Sequence, residues 1–144
     1  MNWLIPHRTA IVRWLAWFGM FAVVILSIVP ATERPVTGAG QRFEHFAAFA
    51  LVAGAFAIGY RLSLMRLLML AFLFCGGIEL LQVPLPTRHA RLSDFVIDVF
   101  GSCFAIGLVF VGDKLVGLFA PLTEVRDLNA IIGDIDQVRA APRD

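Results

Sequence analysis

Four long apolar segments, separated by short polar connections, make up about half of this 144-residue chain. They lie at about residues 10–29, 44–60, 67–83 and 94–111. Each approaches the roughly 20 residues that an α-helix needs to cross a hydrocarbon core about 30 Å thick. We therefore predict an all-α membrane protein, with four transmembrane helices in an up-down bundle.

The composition excludes several other classes of protein. Hydrophobic residues make up 59% of the chain and charged residues only 16%, with a mean hydropathy of +0.81. Soluble domains are closer to about 45–50% apolar and about 25% charged. The formal net charge of +1 gives no basic surface for a nucleic acid, so no nucleic-acid partner is expected. Cys75 and Cys103 lie inside apolar segments, which does not fit a disulfide scaffold or a thiolate metal cluster.

The distribution of basic residues predicts the topology. With a cytoplasmic N-terminus, the inner side carries more Lys and Arg than the outer side, as the positive-inside rule favours. The inner set is Arg8, Arg13, Arg61, Arg66, Lys114 and Arg126, and the outer set is Arg34, Arg42, Arg88 and Arg91. Both termini are therefore expected in the cytoplasm. The alternative for the first segment is a signal peptide cleaved after Ala31.

The sequence after the fourth segment differs in character. Residues 1–112 form the predicted transmembrane domain, and residues 113–144 a cytoplasmic tail. Apolar residues in this tail recur at helical spacing, at Val125, Leu128, Ile132 and Ile135. This pattern predicts a short amphipathic C-terminal helix that packs on the inner helix ends or on a partner. A partly ordered tail without a function is the alternative.

Polar side chains gather at one end of the predicted bundle. They are Glu44 and His45 at the start of the second segment, Glu79 and Gln82 at the end of the third, Asp94 and Asp98 at the start of the fourth, and Arg88 and Arg91 between the last two. A charged residue at the centre of a membrane helix costs about 2.5–3.5 kcal/mol. The predicted topology places all of them at the outer side, which indicates an outward-facing polar pocket.

The spacing of these residues adds detail. Glu79 and Gln82 are three residues apart and share a helix face, and Asp94 and Asp98, four apart, also share one. Gly101 follows on the same side, where a small residue lets another helix approach closely. A helix dipole favours Asp94 at an N-terminus but disfavours Glu79 near a C-terminus.

Glu79 therefore needs a proton or a nearby cation. Arg88 is the nearest basic residue in sequence, and His45 and Arg42 are further candidates.

Several short motifs resemble the VanZ-like family of small membrane proteins. They are Arg42-Phe-Glu-His-Phe46, Ile78-Glu-Leu-Leu-Gln82, Leu85-Pro-Thr-Arg88, and Asp94 followed by Gly101. The resemblance covers residues 41–107. Two positions depart from the family pattern, because Gln41 stands where an Asp is common and Asp98 where an Asn is common. The extra carboxylate of Asp98 makes an identical ligand preference doubtful.

The resemblance implies a location in the cell envelope and an outward-facing polar site. The founding member is associated with resistance to teicoplanin, a glycopeptide antibiotic that acts on cell-wall precursors. A multi-pass protein of the bacterial cytoplasmic (inner) membrane is therefore expected. Its ligand would be an envelope lipid, a lipid-linked cell-wall precursor or a glycopeptide. The expected ligand-binding residues are Arg42, His45, Glu79, Gln82, Arg88, Asp94 and Asp98.

Three classes of function remain open from the sequence. The first is a binding or accessory protein with an outer polar pocket. The second is an intramembrane hydrolase or transferase, with His45 as acid or base, Arg88 as anion clamp, and Glu79 or Asp94 as orienting carboxylate. The third is a structural subunit, associated with itself or with another membrane protein.

Each polar pair also has a purely structural interpretation. Arg88 and Asp94 would form an ion pair that holds the third connection over the bundle. His45 would be hydrogen-bonded to a carboxylate, and Glu79 with Gln82 would join two helices. A metal site from His45, Glu79, Asp94 and Asp98 lacks the spacing of known metal motifs, so no metal or cofactor is predicted.

Overall fold

The structure is a computed structural model that describes residues 4–30, 33, 38–60, 62–85 and 91–140, with side chains for those between 10 and 118. Within these residues the chain is all-helical and contains no strand, which confirms the predicted class. The helices are α1 (Leu4–Ile28), α2 (Gln41–Gly59), α3 (Leu64–Gln82) and α4 (Leu92–Ala140).

All four helices contain a stretch long and apolar enough to span a membrane. These stretches are Ala10–Ile28, Gln41–Gly59, Leu64–Gln82 and Leu92–Leu118. The prediction of four helices of membrane-spanning length and hydropathy is thus confirmed within the described residues, and these helices support a multi-pass membrane protein. The last three helices begin two or three residues before the predicted boundaries, because first-turn residues such as Gln41 and Arg42 are polar yet helical.

The connection between α2 and α3 explains how these helices become antiparallel. Tyr60 adopts an extended conformation and ends α2, and Ser63 precedes α3 in an extended conformation. At the other end of α2, Gly40 precedes the first turn with a φ of 87°, a value that favours glycine. Because this connection is short, α3 runs antiparallel to α2.

Small residues allow α2 and α4 to pack closely. A Cβ built on Gly101 would lie 2.5 Å from the carbonyl oxygen of Phe46, so only glycine fits there without a shift. One turn further along, a Cβ on Gly54 would lie 3.5 Å from the Cβ of Ala105. The close approach that the sequence predicted at Gly101 is therefore present, and its partner is the backbone of α2.

The buried apolar core is small and lies along the middle of the bundle. One cluster is formed by Phe49, Cys75 and Ile78, and a second by Ala53, Leu67 and Ile106. Many large apolar side chains point outwards instead, among them Leu51, Met65 and Leu80, each exposed over more than 70% of its surface. This pattern is the one expected of a chain whose surroundings are lipid.

A polar cluster joins α1 to the last turn of α2, at the end of the bundle opposite to Glu79. Arg13 Nε donates to the carbonyl oxygen of Gly59 at 2.7 Å, and its guanidinium lies 4.9 Å from the ring centroid of Tyr60. Trp17 Nε1 donates to the hydroxyl of Tyr60 at 2.8 Å. A cation at the C-terminus of α2 complements the helix dipole, so this cluster stabilises the contact between α1 and α2.

The C-terminal part of the chain differs from the prediction. The chain divides into two compact units, Met1–Phe110 and Val111–Asp144. The second unit continues α4 to Ala140, so a separate short C-terminal helix is not confirmed. Pro121 lies within α4 and does not end it. A proline has no N–H to donate to the preceding turn, but the helix can continue on both sides of that position.

Candidate functional site

A buried pair of polar side chains connects α2 to α4 near the start of each helix. His45 Nδ1 lies 3.1 Å from Asp98 Oδ1. Asp98 is fully buried and His45 is nearly so. Because an ionised carboxylate can only accept a hydrogen bond, Nδ1 is then the donor. The pair places an imidazole and a carboxylate inside the bundle, where each needs a polar partner.

The side chains around this pair complete its surroundings. The ring of Phe49 stacks on the imidazole of His45, with the centroids 6.5 Å apart. One turn after Asp98, the hydroxyl of Ser102 donates to the carbonyl oxygen of Asp98 at 2.9 Å. The same hydroxyl lies 3.8 Å from the thiol of Cys75 on α3. The pair therefore lies on a packed layer contributed by α2, α3 and α4.

Glu79 lies at the end of α3, beside the beginning of α4. Its Oε2 accepts a hydrogen bond from the backbone N–H of Arg91 at 2.9 Å. Its Oε1 is buried, and no donor among the described residues lies within hydrogen-bond distance of it. The carboxyl group lies within electrostatic range of Asp98, Asp94 and His45. A buried carboxylate oxygen near a helix C-terminus needs a hydrogen-bond donor or a cation.

An open cleft of about 420 Å³ lies between the start of α2 and the start of α4. The polar side chains that line it are Gln41, Arg42, Arg91, Ser93 and Asp94. The hydroxyl of Ser93 donates to Asp94 Oδ1 at 3.1 Å. Through the backbone of Arg91 the cleft adjoins Glu79, so both belong to one end of the bundle, which we call the polar end.

A second cavity, of about 520 Å³, lies further along the bundle and is mostly apolar. It is lined by residues of all four helices, including Phe49 and Ser102 beside the buried pair. The polar end thus opens at one side to a charged cleft and adjoins an apolar space within the membrane-spanning part.

Most of the predicted site residues lie at the polar end. His45, Glu79, Asp94 and Asp98 come together at the polar end, and Arg42 lines its cleft. Gln82 is buried at the end of α3, and Glu44 is half-buried in the first turn of α2. Arg88 lies outside the described residues, so its predicted pairing with Asp94 or Glu79 stays a prediction.

Comparisons with known proteins add nothing to this geometry. Neither a family model, nor a curated protein, nor a solved structure matches the chain.

Among the described residues, no three His, Cys, Asp or Glu side chains come together as a set of metal ligands. The polar end contains a carboxylate oxygen that can accept a hydrogen bond, an oriented imidazole and two arginines. This combination suits the recognition of a polar group that carries both hydrogen-bond donors and negative charge.

Several contacts at this end were not predicted from the sequence. Among the described residues, the donor to Glu79 Oε2 is the backbone N–H of Arg91. No sequence pattern indicates this hydrogen bond, since any residue except proline at position 91 supplies the same backbone N–H. The contact between Ser102 and Cys75 was also not predicted. The spacing of Ser102, four residues after Asp98, was the available signal for its hydrogen bond to that carbonyl.

Proposed function

We propose that this chain is an integral membrane protein of the bacterial envelope, and that its polar end binds the head group of an amphiphile. The candidate ligands are an envelope lipid, a lipid-linked cell-wall precursor or a glycopeptide-type antibiotic. The resemblance of its motifs to VanZ-like proteins, and through them to teicoplanin resistance, is part of this proposal.

The observation that carries the proposal is the position of Glu79. Its Oε1 is buried in a membrane-spanning helix, and none of the described residues donates to it. Leaving such an acceptor unsatisfied costs about 1–3 kcal/mol, and more when it is charged. A ligand that supplies a hydroxyl, amide or ammonium donor to Oε1 removes this cost, which favours its binding.

Two further features support an amphiphile over a soluble ligand. The charged cleft of about 420 Å³ suits a polar head. The apolar cavity of about 520 Å³ lies in the membrane-spanning part, where a hydrocarbon chain is the natural occupant.

The orientation belongs to the same proposal. Because more Lys and Arg residues flank the ends opposite to the polar end, we place both termini in the cytoplasm. The polar end then faces the extracytoplasmic side of the bacterial inner membrane, where cell-wall precursors and antibiotics are found.

An enzyme is the second candidate, and the buried pair favours it. A carboxylate that accepts from Nδ1 fixes the tautomer and the orientation of an imidazole, which is how acid–base histidines are held in many enzymes. A hydrolase or transferase acting on a lipid head group would then use His45 as acid or base, with Glu79 or Asp94 as orienting carboxylate. A purely structural membrane subunit is the remaining alternative.

The test is mass spectrometry of lipids that copurify with the full-length protein. We expect an enriched amphiphile with the wild type and its loss with Glu79→Gln, which removes the charge but keeps the shape. Glu33→Gln is the matched control, because Glu33 is an exposed carboxylate in the connection between α1 and α2. Equal lipid profiles in all three proteins would contradict the proposal.

A second arm separates binding from catalysis. Purified protein is incubated with the copurifying lipid, and the head group is followed over time. Stoichiometric binding without product supports the binding protein. Turnover that is lost with His45→Gln would replace it by the enzyme.

A further inference from the structure

The cleft at the polar end is lined by two arginines that come from different helices. Arg42 lies in the first turn of α2, and Arg91 directly precedes α4. Both residues are exposed, and neither guanidinium forms an ion pair with a described side chain. Both arginines line the cleft, so an anion there can reach their guanidinium groups.

The other charged group of the cleft does not cancel these two cations. Asp94 is half-buried, and its Oδ1 already accepts the hydroxyl of Ser93 at 3.1 Å. Among the described residues that line this cleft of about 420 Å³, two guanidinium groups and one carboxylate therefore give a net positive charge.

The backbone adds to the positive potential. α2 begins at Gln41 and α4 at Leu92, so the N-termini of both helices border the same cleft. The N-cap of α2 is Gly40, which has no side chain to accept from the first N–H groups. The first N–H groups of a helix have no intrahelical acceptor, and the helix dipole favours an anion beside them.

We propose that this cleft binds a phosphate-type anion, held by Arg42 and Arg91, as the phosphodiester of the amphiphile's head group. The inference rests on the proposed function and specifies the chemistry of the ligand. Guanidinium groups bind phosphate oxygens through paired, charge-assisted hydrogen bonds, and the two arginines meet the anion from two sides. Glu79, which adjoins the cleft through the backbone of Arg91, then receives a donor from the same head group.

The test measures lipid binding by the full-length protein in detergent micelles. The probes are phosphatidylglycerol and a glycosyl diacylglycerol with the same acyl chains and no phosphate. The variants are Arg42→Gln and Arg91→Gln; the second keeps the backbone N–H that Glu79 accepts. The control is Arg66→Gln, which removes an exposed arginine near the start of α3, at the opposite end of the bundle.

We expect each cleft variant to bind phosphatidylglycerol at least about tenfold more weakly than the wild type, a loss of about 1.4 kcal/mol. The control variant keeps the wild-type affinity, and the glycosyl lipid binds all four proteins with one common affinity. Competition by inorganic phosphate assigns a free anion as the source, whereas no competition assigns the lipid head group.

Equal affinity of Arg42→Gln, Arg91→Gln and Arg66→Gln for phosphatidylglycerol would overturn the inference. The proposed function survives that result if Glu79→Gln still loses its copurifying amphiphile. If Glu79→Gln keeps the amphiphile while the arginine variants lose phosphatidylglycerol, the proposed role of Glu79 fails and the anion cleft stands.

Discussion

Asp98 is the residue whose observed environment differs most from the predicted one. The sequence places it among other carboxylates in an outward-facing pocket, whereas the structure buries it completely against His45. In lipid surroundings a carboxylate has few alternatives to a protein partner. The hydrogen bond between α2 and α4 therefore holds these two helices together at the polar end.

Replacing Asp98 tests that role. Asp98→Ala leaves the buried His45 without this acceptor, and we expect the free energy of unfolding to fall by about 3 kcal/mol. Asp98→Asn keeps an oxygen that accepts from Nδ1 and should retain most of the stability. Thermal denaturation in detergent measures both. A stability of Asp98→Ala equal to that of the wild type would show that the pair has no structural role.

Much of the polar end was predictable at the level of residues, but the partners were not. The cost of charge in a membrane helix is enough to select Glu79, Asp94 and Asp98 as a group. Which carboxylate meets His45 depends on the rotation of α4 about its axis, which spacing alone leaves open. Helical spacing could not distinguish the buried Asp98 from the half-exposed Asp94, because both lie on one face.

The contact between α2 and α4 leaves no room for a side chain at Gly101. A Cβ on Gly101 would lie 2.5 Å from the carbonyl oxygen of Phe46, which is backbone and cannot turn away. Gly101→Ala must therefore push α4 from α2 and lengthen the bond between His45 and Asp98. We expect a loss of about 1–3 kcal/mol in unfolding free energy.

Gly107→Ala is the matched control for that variant. It makes the same change on the same helix, where a Cβ would meet nothing within 4 Å. We expect it to be neutral, or stabilising by up to about 1 kcal/mol, because alanine favours a helix. Unfolding of both variants in mixed micelles gives the comparison, and equal stabilities would refute the close contact.

At the opposite end of the bundle, Arg13 links α1 to the last turn of α2. Arg13→Gln removes the cation from the C-terminus of α2, and we expect a loss of about 1 kcal/mol. Arg66→Gln removes an exposed arginine near the start of α3 and should leave stability unchanged. Tryptophan fluorescence adds a local readout, since Trp17 donates to the hydroxyl of Tyr60 beside Arg13. If Arg66→Gln lost as much stability as Arg13→Gln, the effect would come from the loss of any positive charge and not from the contact of Arg13 with α2.

The helices themselves were predicted well because the length and hydropathy of a segment largely determine whether it forms a membrane-spanning helix. All four spans were expected, with starts two or three residues too late for the last three. The end of α4 was predicted poorly. The fourth segment was predicted to end at about residue 111, with a separate short helix in the tail, yet α4 continues to Ala140. A pattern of apolar residues cannot show whether two helical stretches join.

At the scale of the whole molecule, the two ends of the bundle carry different polar groups. One end gathers His45, Glu79, Asp94 and Asp98, and the opposite end carries the cluster of Arg13, Trp17 and Tyr60. An asymmetric bundle of this kind has a preferred orientation in the membrane. The function proposed for it depends on that orientation, because an extracytoplasmic ligand reaches only one side.

Labelling of single cysteines in intact cells tests the orientation and the polar end together. With Cys75 and Cys103 replaced by alanine, a cysteine is introduced at Gln41, at Ser93 or at Ser63 and treated with a membrane-impermeant thiol reagent. We predict labelling of Gln41→Cys and Ser93→Cys in intact cells, and of Ser63→Cys only after permeabilisation. Labelling of Gln41→Cys and Ser93→Cys from different sides of the membrane would contradict the account.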